Sequence, residues 1–128
     1  MRLSLLFLFS FTYFFSTAQS QTELQIDAFN SYKKADKELN RVYQAIISEY
    51  SEDSVFIENL IISQRIWIQF RDAEFKMKYP DNVEYGSVQE MCEAMYLEKL
   101  TKERIKTLNV WLKGLEEGEV CSGSVKIK

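Results

Sequence analysis

The sequence predicts an all-α protein, an elongated up-down-up bundle of three long helices. Apolar residues recur three or four positions apart in three long segments, which is the spacing of an amphipathic helix, and strand-like alternation is absent. The 128 residues contain four glycines and one proline, too few for the many turns of a β-sandwich or barrel. Because the connections between the segments are short, neighbouring helices are expected to be antiparallel.

The first predicted helix runs from Thr22 to Tyr50. Residues 22–25, Thr-Glu-Leu-Gln, match a capping box, in which the Thr and Gln side chains bond the free amides of the first helical turn. The polar run at 51–54 interrupts the apolar pattern and offers Asp53 or Ser54 as the N-cap of the next helix.

The second predicted helix runs from Val55 to Lys78 and ends at Tyr79, because a residue before proline is pushed out of helical geometry. A loop follows at 80–86. Residues 87–90, Ser-Val-Gln-Glu, form a second capping box and open the third helix, which is expected to stop near Gly114 or Gly118.

Residues 1–20 have the pattern of a cleavable secretory signal. Arg2 precedes an apolar run at 3–15, and Ala18 and Ser20 are small residues at the positions that signal peptidase recognises. The run is too short for a spanning helix, which needs about 20 apolar residues. We therefore expect a signal peptide at 1–20, one helical domain at 21–117 and an irregular, mobile tail at 118–128, with no membrane anchor in the mature form and a periplasmic or extracellular location.

Composition excludes several function classes. The chain has no histidine, the commonest general base and metal ligand, and two cysteines are too few for a zinc site, so neither a metal nor another cofactor is expected. Without Arg2 the mature part has 15 basic residues against 19 acidic ones, a net charge of −4. An acidic chain is a poor nucleic-acid binder and suits a basic protein partner better, although this charge is also ordinary for solubility.

Each predicted helix carries polar or amphipathic side chains on its apolar face, at helical spacing. They are Asp36, Asn40 and Tyr43 on the first helix, Gln64, Trp67 and Arg71 on the second, and Thr101 and Arg104 on the third. We call these eight residues the polar stripe. Two interpretations remain open: a buried network that fixes the register of the helices, or a binding patch in a groove between them.

Hairpin geometry predicts which residues of the polar stripe meet. Asn40, Gln64 and Thr101 are expected at one level of the bundle, with Arg104 at the level of Tyr43. Asp36 is expected near Arg71, about two turns away. A buried pair of these two charges would make each depend on the other, because removing one partner strands a buried charge.

The same residues carry a family resemblance. Residues 35–43 resemble a motif A-D-x-x-L-N-x-x-Y, and residues 64–74 resemble Q-x-x-W-x-x-[YF]-R-D-A-E. Gly86-Ser87 and the L-T-x-x-R run at 100–104 complete the pattern. Four motifs in this order, over about residues 28–112, resemble the LprI-type lysozyme-inhibitor family.

The resemblance implies an exported bacterial protein that in some members inhibits lysozyme, and it implies no catalytic residue. The family pattern usually has a cysteine where this chain has Phe75, and Cys92 keeps the position of its partner. The usual disulfide between the second and third helices is therefore not expected here, and apolar burial of Phe75 is expected to replace it.

Two functions of different classes follow. The first is an exported, non-enzymatic binding protein that inhibits a lysozyme, with the loop at Tyr85, Gly86 and Ser87 facing the partner. The alternative is a structural or scaffolding module of the periplasm with no enzyme target. Scaffolding predicts a wholly buried polar stripe and no large exposed apolar patch, whereas Trp67 or Tyr85 exposed beside Arg71 would favour a binding surface.

Geometry also bears on the two cysteines. Cys92 lies near the start of the third predicted helix, and Cys121 lies beyond its end. The helix from residue 92 to 113 rises about 31 Å. Eight further residues span at most about 28 Å when extended. We therefore predict no disulfide between Cys92 and Cys121 in the monomer, since its Cα atoms would have to come within about 7 Å.

Overall fold

A computed structural model of the protein describes the backbone of residues 3–128 and the side chains of residues 20–128. Three helices follow one another: α1 (Leu3–Glu49), α2 (Ser54–Lys78) and α3 (Gln89–Lys113). At 1.5 Å per residue, α2 and α3 are each about 37 Å long. The predicted all-α bundle is confirmed. Apart from Ser20, the predicted signal peptide lies outside the residues with described side chains.

The helix ends show which capping predictions hold. Asp53 caps α2 as expected, because its carboxylate accepts a hydrogen bond from the Phe56 amide at 2.9 Å. The capping box at Thr22 is wrong as a helix start, since α1 continues through this position and no glycine or proline precedes it to break the helix. The box at Ser87 is also wrong. Val88 precedes α3 without a side-chain cap, and the Ser87 hydroxyl instead accepts a bond from Gln21.

The bundle is built on close packing of α1 against α3. Small side chains are buried on both helices, at Ala35 of α1 and at Ala94 and Thr101 of α3. Small residues at a contact reduce the distance between helix axes. The backbone of α2 packs less closely on α3 than that of α1 does. The backbones of α1 and α2 are the least closely packed pair. The packing is therefore unequal: α1 and α3 form a close pair, and α2 packs more loosely beside them.

The apolar core lies toward the end of the bundle where α1 stops. It contains Leu39, Val42 and Ile46 of α1, Tyr50 directly after α1, Leu60 of α2 and Leu108 of α3. Tyr50 closes this end: its ring lies 4.4 Å from that of Phe56, and its hydroxyl donates to the Trp111 carbonyl at 3.1 Å. Core side chains are thus supplied by all three helices, although their backbones are unequally spaced.

The tail after α3 folds back instead of extending freely, which differs from the mobility expected of it. Leu115 and Ile127 form a parallel bridge, and the Lys126 amide donates to the Tyr50 hydroxyl at 3.2 Å. The Trp111 indole N–H donates to Ser124 at 3.0 Å. These contacts hold the tail across the Tyr50 end of the bundle.

Gly114 makes this reversal possible. Its φ of +77° is in the left-handed region, which side chains disfavour. A Cβ at this position would stand 2.8 Å from the Lys126 carbonyl oxygen. The chain can therefore end α3 and receive its own tail only with glycine here.

The two cysteines are free thiols, Cys92 half-buried in the first turn of α3 and Cys121 exposed in the folded tail. Within the described residues, no helix is both long enough and apolar enough to span a membrane.

Candidate protein-binding site

Four residues of the polar stripe form one cluster: Gln64, Trp67, Arg71 and Arg104. The guanidinium carbons of Arg71 and Arg104 lie 5.4 Å and 5.8 Å from the Trp67 ring centroid, within the range of a cation–π contact. Arg104 on α3 donates its Nε–H to the buried Gln64 side chain at 3.0 Å and an Nη2 hydrogen to Ser63 at 3.1 Å. The family motifs of α2 and α3 thus meet in one cluster that joins these helices.

The electrostatics of Arg104 distinguish it from the other arginine of the cluster. Arg71 forms an ion pair with Asp72 at 2.8 Å, whereas Arg104 bonds only neutral oxygens and has no carboxylate within 4.0 Å among residues 20–128. Burial lowers the pKa of Arg104 from its ordinary value. Arg104 nevertheless remains charged, since a guanidinium is effectively always protonated in proteins. The cluster therefore holds one half-buried cation without a neutralising partner.

Asp36 and Arg71, which were expected near each other, do not form an ion pair. Arg71 does lie close to this part of α1, since Arg71 and Asp36 both influence the pKa of Tyr32, which burial raises. Its ion pair, however, is with Asp72 on its own helix. Because the α1 and α2 backbones diverge, the neighbouring carboxylate on α2 is closer to Arg71 than the one across the gap.

The three residues expected at one level of the bundle, Asn40, Gln64 and Thr101, do not form one hydrogen-bonded network among the described residues. Asn40 is exposed, and the fully buried Thr101 donates its hydroxyl to the Leu97 carbonyl one turn earlier in α3. Arg104, expected at the level of Tyr43, bonds Gln64, and Tyr43 packs on the apolar core. The polar stripe is therefore divided among a buried network, the core and the surface, and it is not wholly buried.

The loop between α2 and α3 is exposed along residues 81–88 and is fixed at several points. The Tyr85 amide donates to Gln89 Oε1 at 3.0 Å, and Gly86 turns the chain with a φ of +84°. From α1, the Gln21 and Gln25 side chains donate to the Ser87 hydroxyl and carbonyl at 3.0 and 2.8 Å. Tyr85 is thus presented to solvent on an anchored loop.

An aromatic cluster supports this loop, and sequence reasoning missed it. The Tyr79 ring lies 5.7 Å from Tyr85, 5.6 Å from Phe75 and 6.1 Å from Tyr96. It therefore joins α2 to α3 where the family usually has a disulfide. Burial raises the pKa of Tyr79, and a hydrogen bond to Glu74 raises that of Tyr96. The density of aromatic residues around the Tyr79-Pro80 helix stop was the available signal.

One face of α2 is apolar and uncovered along its length. We call it the α2 outer stripe; it comprises Val55, Ile62, Ile66, Phe70 and Met77, each between 47% and 76% exposed. At 100° per residue these positions fall within one narrow arc of the helix. A run of exposed apolar side chains of this kind is typical of interaction surfaces.

Sequence reasoning also missed the contacts that close the Tyr50 end of the bundle. Lys128 forms an ion pair with Glu49 at 2.8 Å, and the Lys126 ammonium lies 4.5 Å from the Tyr50 ring centroid. Among the described side chains, no three cysteines or carboxylates are grouped to hold a metal ion.

Comparison with known proteins places these features in a family. The profile of the family described as Lysozyme inhibitor LprI matches residues 16–108. The chain belongs to the LprI family. This match covers the three motif-bearing helices and the anchored loop.

A curated relative extends the comparison without naming a partner. This LprI-family chain is 28% identical over 110 residues to the uncharacterized protein R02472 of Rhizobium meliloti (strain 1021), covering 77% of this chain and 78% of that protein. No solved structure matches it.

Proposed function

We propose that this LprI-family protein is an exported, non-enzymatic binding protein that inhibits a lysozyme. The observation that carries the proposal is the family match over residues 16–108. Scaffolding without a partner would predict a buried polar stripe and no uncovered apolar surface. The exposed α2 outer stripe supports a binding protein instead. Trp67 beside Arg71 is half-buried and packs on the core, so it does not add to this support.

The anchored loop is the surface that we assign to the partner. Asp81, Glu84 and Tyr85 are exposed there, so the loop presents an aromatic side chain together with two carboxylates, which suit a basic partner such as a lysozyme. Gln25 donates a hydrogen bond to the Ser87 carbonyl and Gln89 accepts one from the Tyr85 amide, so the loop is held in place before binding. A loop ordered in advance loses less conformational entropy on association, which is the general benefit of preorganisation.

A lysozyme turbidity assay with the purified mature chain, residues 21–128, tests this function. We expect the chain to slow the clearing of a bacterial cell suspension and Tyr85→Ala to relieve the inhibition. Phe70→Ala is the matched control, because Phe70 is exposed on the α2 outer stripe and not on the loop.

Each outcome of this assay is decisive. Absence of inhibition by the unsubstituted chain at a large molar excess would refute the function. Loss of inhibition in Phe70→Ala but not in Tyr85→Ala would retain the function and move the surface to α2.

A further inference from the structure

A cavity of about 350 Å³ lies between the first half of α2 and the second half of α3. Its walls are apolar at Val55, Phe56, Leu60, Leu108 and Trp111. This volume is at the lower end of the range for small-molecule sites, which are mostly apolar with a few polar groups that orient the ligand. The cavity is remote from the anchored loop, which lies at the opposite end of α2.

Arg104 and Ser63 supply the polar groups at one end of this cavity. Within the described residues, Arg104 donates hydrogen bonds to the protein only from Nε and Nη2. A guanidinium has five N–H donors, so Arg104 keeps donors for a ligand. It also keeps its uncompensated charge, and a carboxylate is the group that a guanidinium binds in two parallel hydrogen bonds.

The acidic residue of the cavity lies at its other end. Asp53 is ten residues before Ser63 on α2, about 15 Å along the helix axis. Its carboxylate is engaged by the Phe56 amide as the helix cap. The ring of Trp111, held by Ser124 of the folded tail, and the ring of Phe56 lie in the apolar lining. The cavity therefore has a cationic end and a wall that is mostly apolar, with Asn59 and Ser124 as further polar residues.

From this arrangement we infer that the cavity binds a small soluble amphiphile with one carboxylate and an unbranched apolar chain. The carboxylate pairs with Arg104 and Ser63, and the apolar chain lies along Leu60, Leu108 and Trp111. This site is independent of lysozyme inhibition, which we assign to the loop.

Isothermal titration calorimetry of the full mature chain with octanoate and with octanol tests the site. We expect octanoate to bind with one-to-one stoichiometry and octanol about tenfold or more weakly, because a hydrogen-bonded charge contributes at least one decade of affinity. Arg104→Gln should reduce octanoate binding by a similar factor. Equal binding of octanoate and octanol would overturn the inference.

A matched pair of exposed substitutions keeps the test valid if Arg104→Gln fails to fold. Val55 and Met77 are both apolar, exposed residues of α2, but only Val55 lines the cavity. Val55→Glu should weaken octanoate binding about tenfold by charge repulsion and Met77→Glu should not. Equal octanoate affinity in the two variants would overturn the inference. It would also be overturned if the protein failed to bind octanoate but cosedimented with anionic phospholipid vesicles.

Discussion

Gln64 and Asn40 belong to the same set of family-motif residues but lie in opposite environments. Gln64 is buried and accepts a hydrogen bond from Arg104, whereas Asn40 is exposed. Replacing Gln64 with the similarly shaped methionine leaves the half-buried guanidinium without this acceptor. We expect Gln64→Met to lower the free energy of unfolding by about 1–3 kcal/mol, the penalty for an unsatisfied polar group.

Asn40→Leu is the matched control for this prediction. Because Asn40 is exposed, its replacement should change the free energy of unfolding by no more than about 0.5 kcal/mol. Urea denaturation of both variants provides the measurement. Equal shifts of the two midpoints would show that the Gln64–Arg104 bond does not contribute to stability.

The motif residues illustrate how far sequence reasoning reaches at this scale. Helical spacing correctly placed Gln64, Trp67 and Arg71 on one face of α2, because that face depends only on the 3.6-residue period. It did not give their partners. Which charge lies near Arg71 depends on how closely α1 and α2 pack, and that depends on contacts between residues far apart in the sequence. Local spacing contains no information about it.

At the level of elements, the folded tail depends on charge. The hydrogen bond and ion pair with Lys128 lower the pKa of Glu49. A carboxylate whose pKa is lower in the folded state stabilises that state above its unfolded pKa, near 4.3, and loses this contribution as pH falls through the folded value. The stabilisation from Glu49 should therefore be present at neutral pH and absent in strong acid.

Glu49→Gln isolates this contribution. We expect the variant to be less stable than the unsubstituted chain at pH 7, and the difference to shrink as pH falls through the lowered pKa of the Glu49 carboxylate. Glu52→Gln is the control, since Glu52 is exposed and forms no ion pair within residues 20–128. Denaturant titrations from pH 7 downward measure both variants, and a Glu49→Gln effect that persists unchanged as pH falls would contradict the prediction.

Helix number, helix order and the approximate ends other than the start of α1 could be predicted from the sequence, since apolar periodicity and the Tyr79-Pro80 stop are local signals. The tail could not, because its order depends on contacts of Lys126 and Lys128 with the distant Tyr50 and Glu49. The start of α3 was misjudged for a related reason: Ser87 forms its hydrogen bonds with α1 instead of capping its own helix.

For the whole molecule, the distribution of charge leads to a prediction that rests on the proposed inhibition. Acidic residues of the loop, Asp81 and Glu84, and of the opposite end, Glu116 and Glu117, are exposed. Salt shortens the screening length from about 30 Å at 0.01 M to about 8 Å at 0.15 M. The rate of association with a basic lysozyme should therefore fall as the salt concentration rises over this range.

Charge-neutralised pairs locate the responsible surface. In stopped-flow association experiments, Asp81→Asn/Glu84→Gln should reduce the salt dependence, while Glu116→Gln/Glu117→Gln should retain it, because only the first pair lies on the proposed contact surface. Equal salt dependence in the two double variants would place the contact elsewhere on the protein.

The close packing of α1 against α3 has a consequence for how the chain is made. The α1 side chains Leu39, Val42 and Ile46 are covered in part by Leu108. Synthesis proceeds from the N-terminus, and α3 begins at Gln89, forty residues after α1 ends at Glu49. A nascent chain therefore carries the apolar side of α1 without its α3 cover until α3 has been translated. During that interval the apolar side of α1 is open to proteases and to aggregation unless another protein shields it.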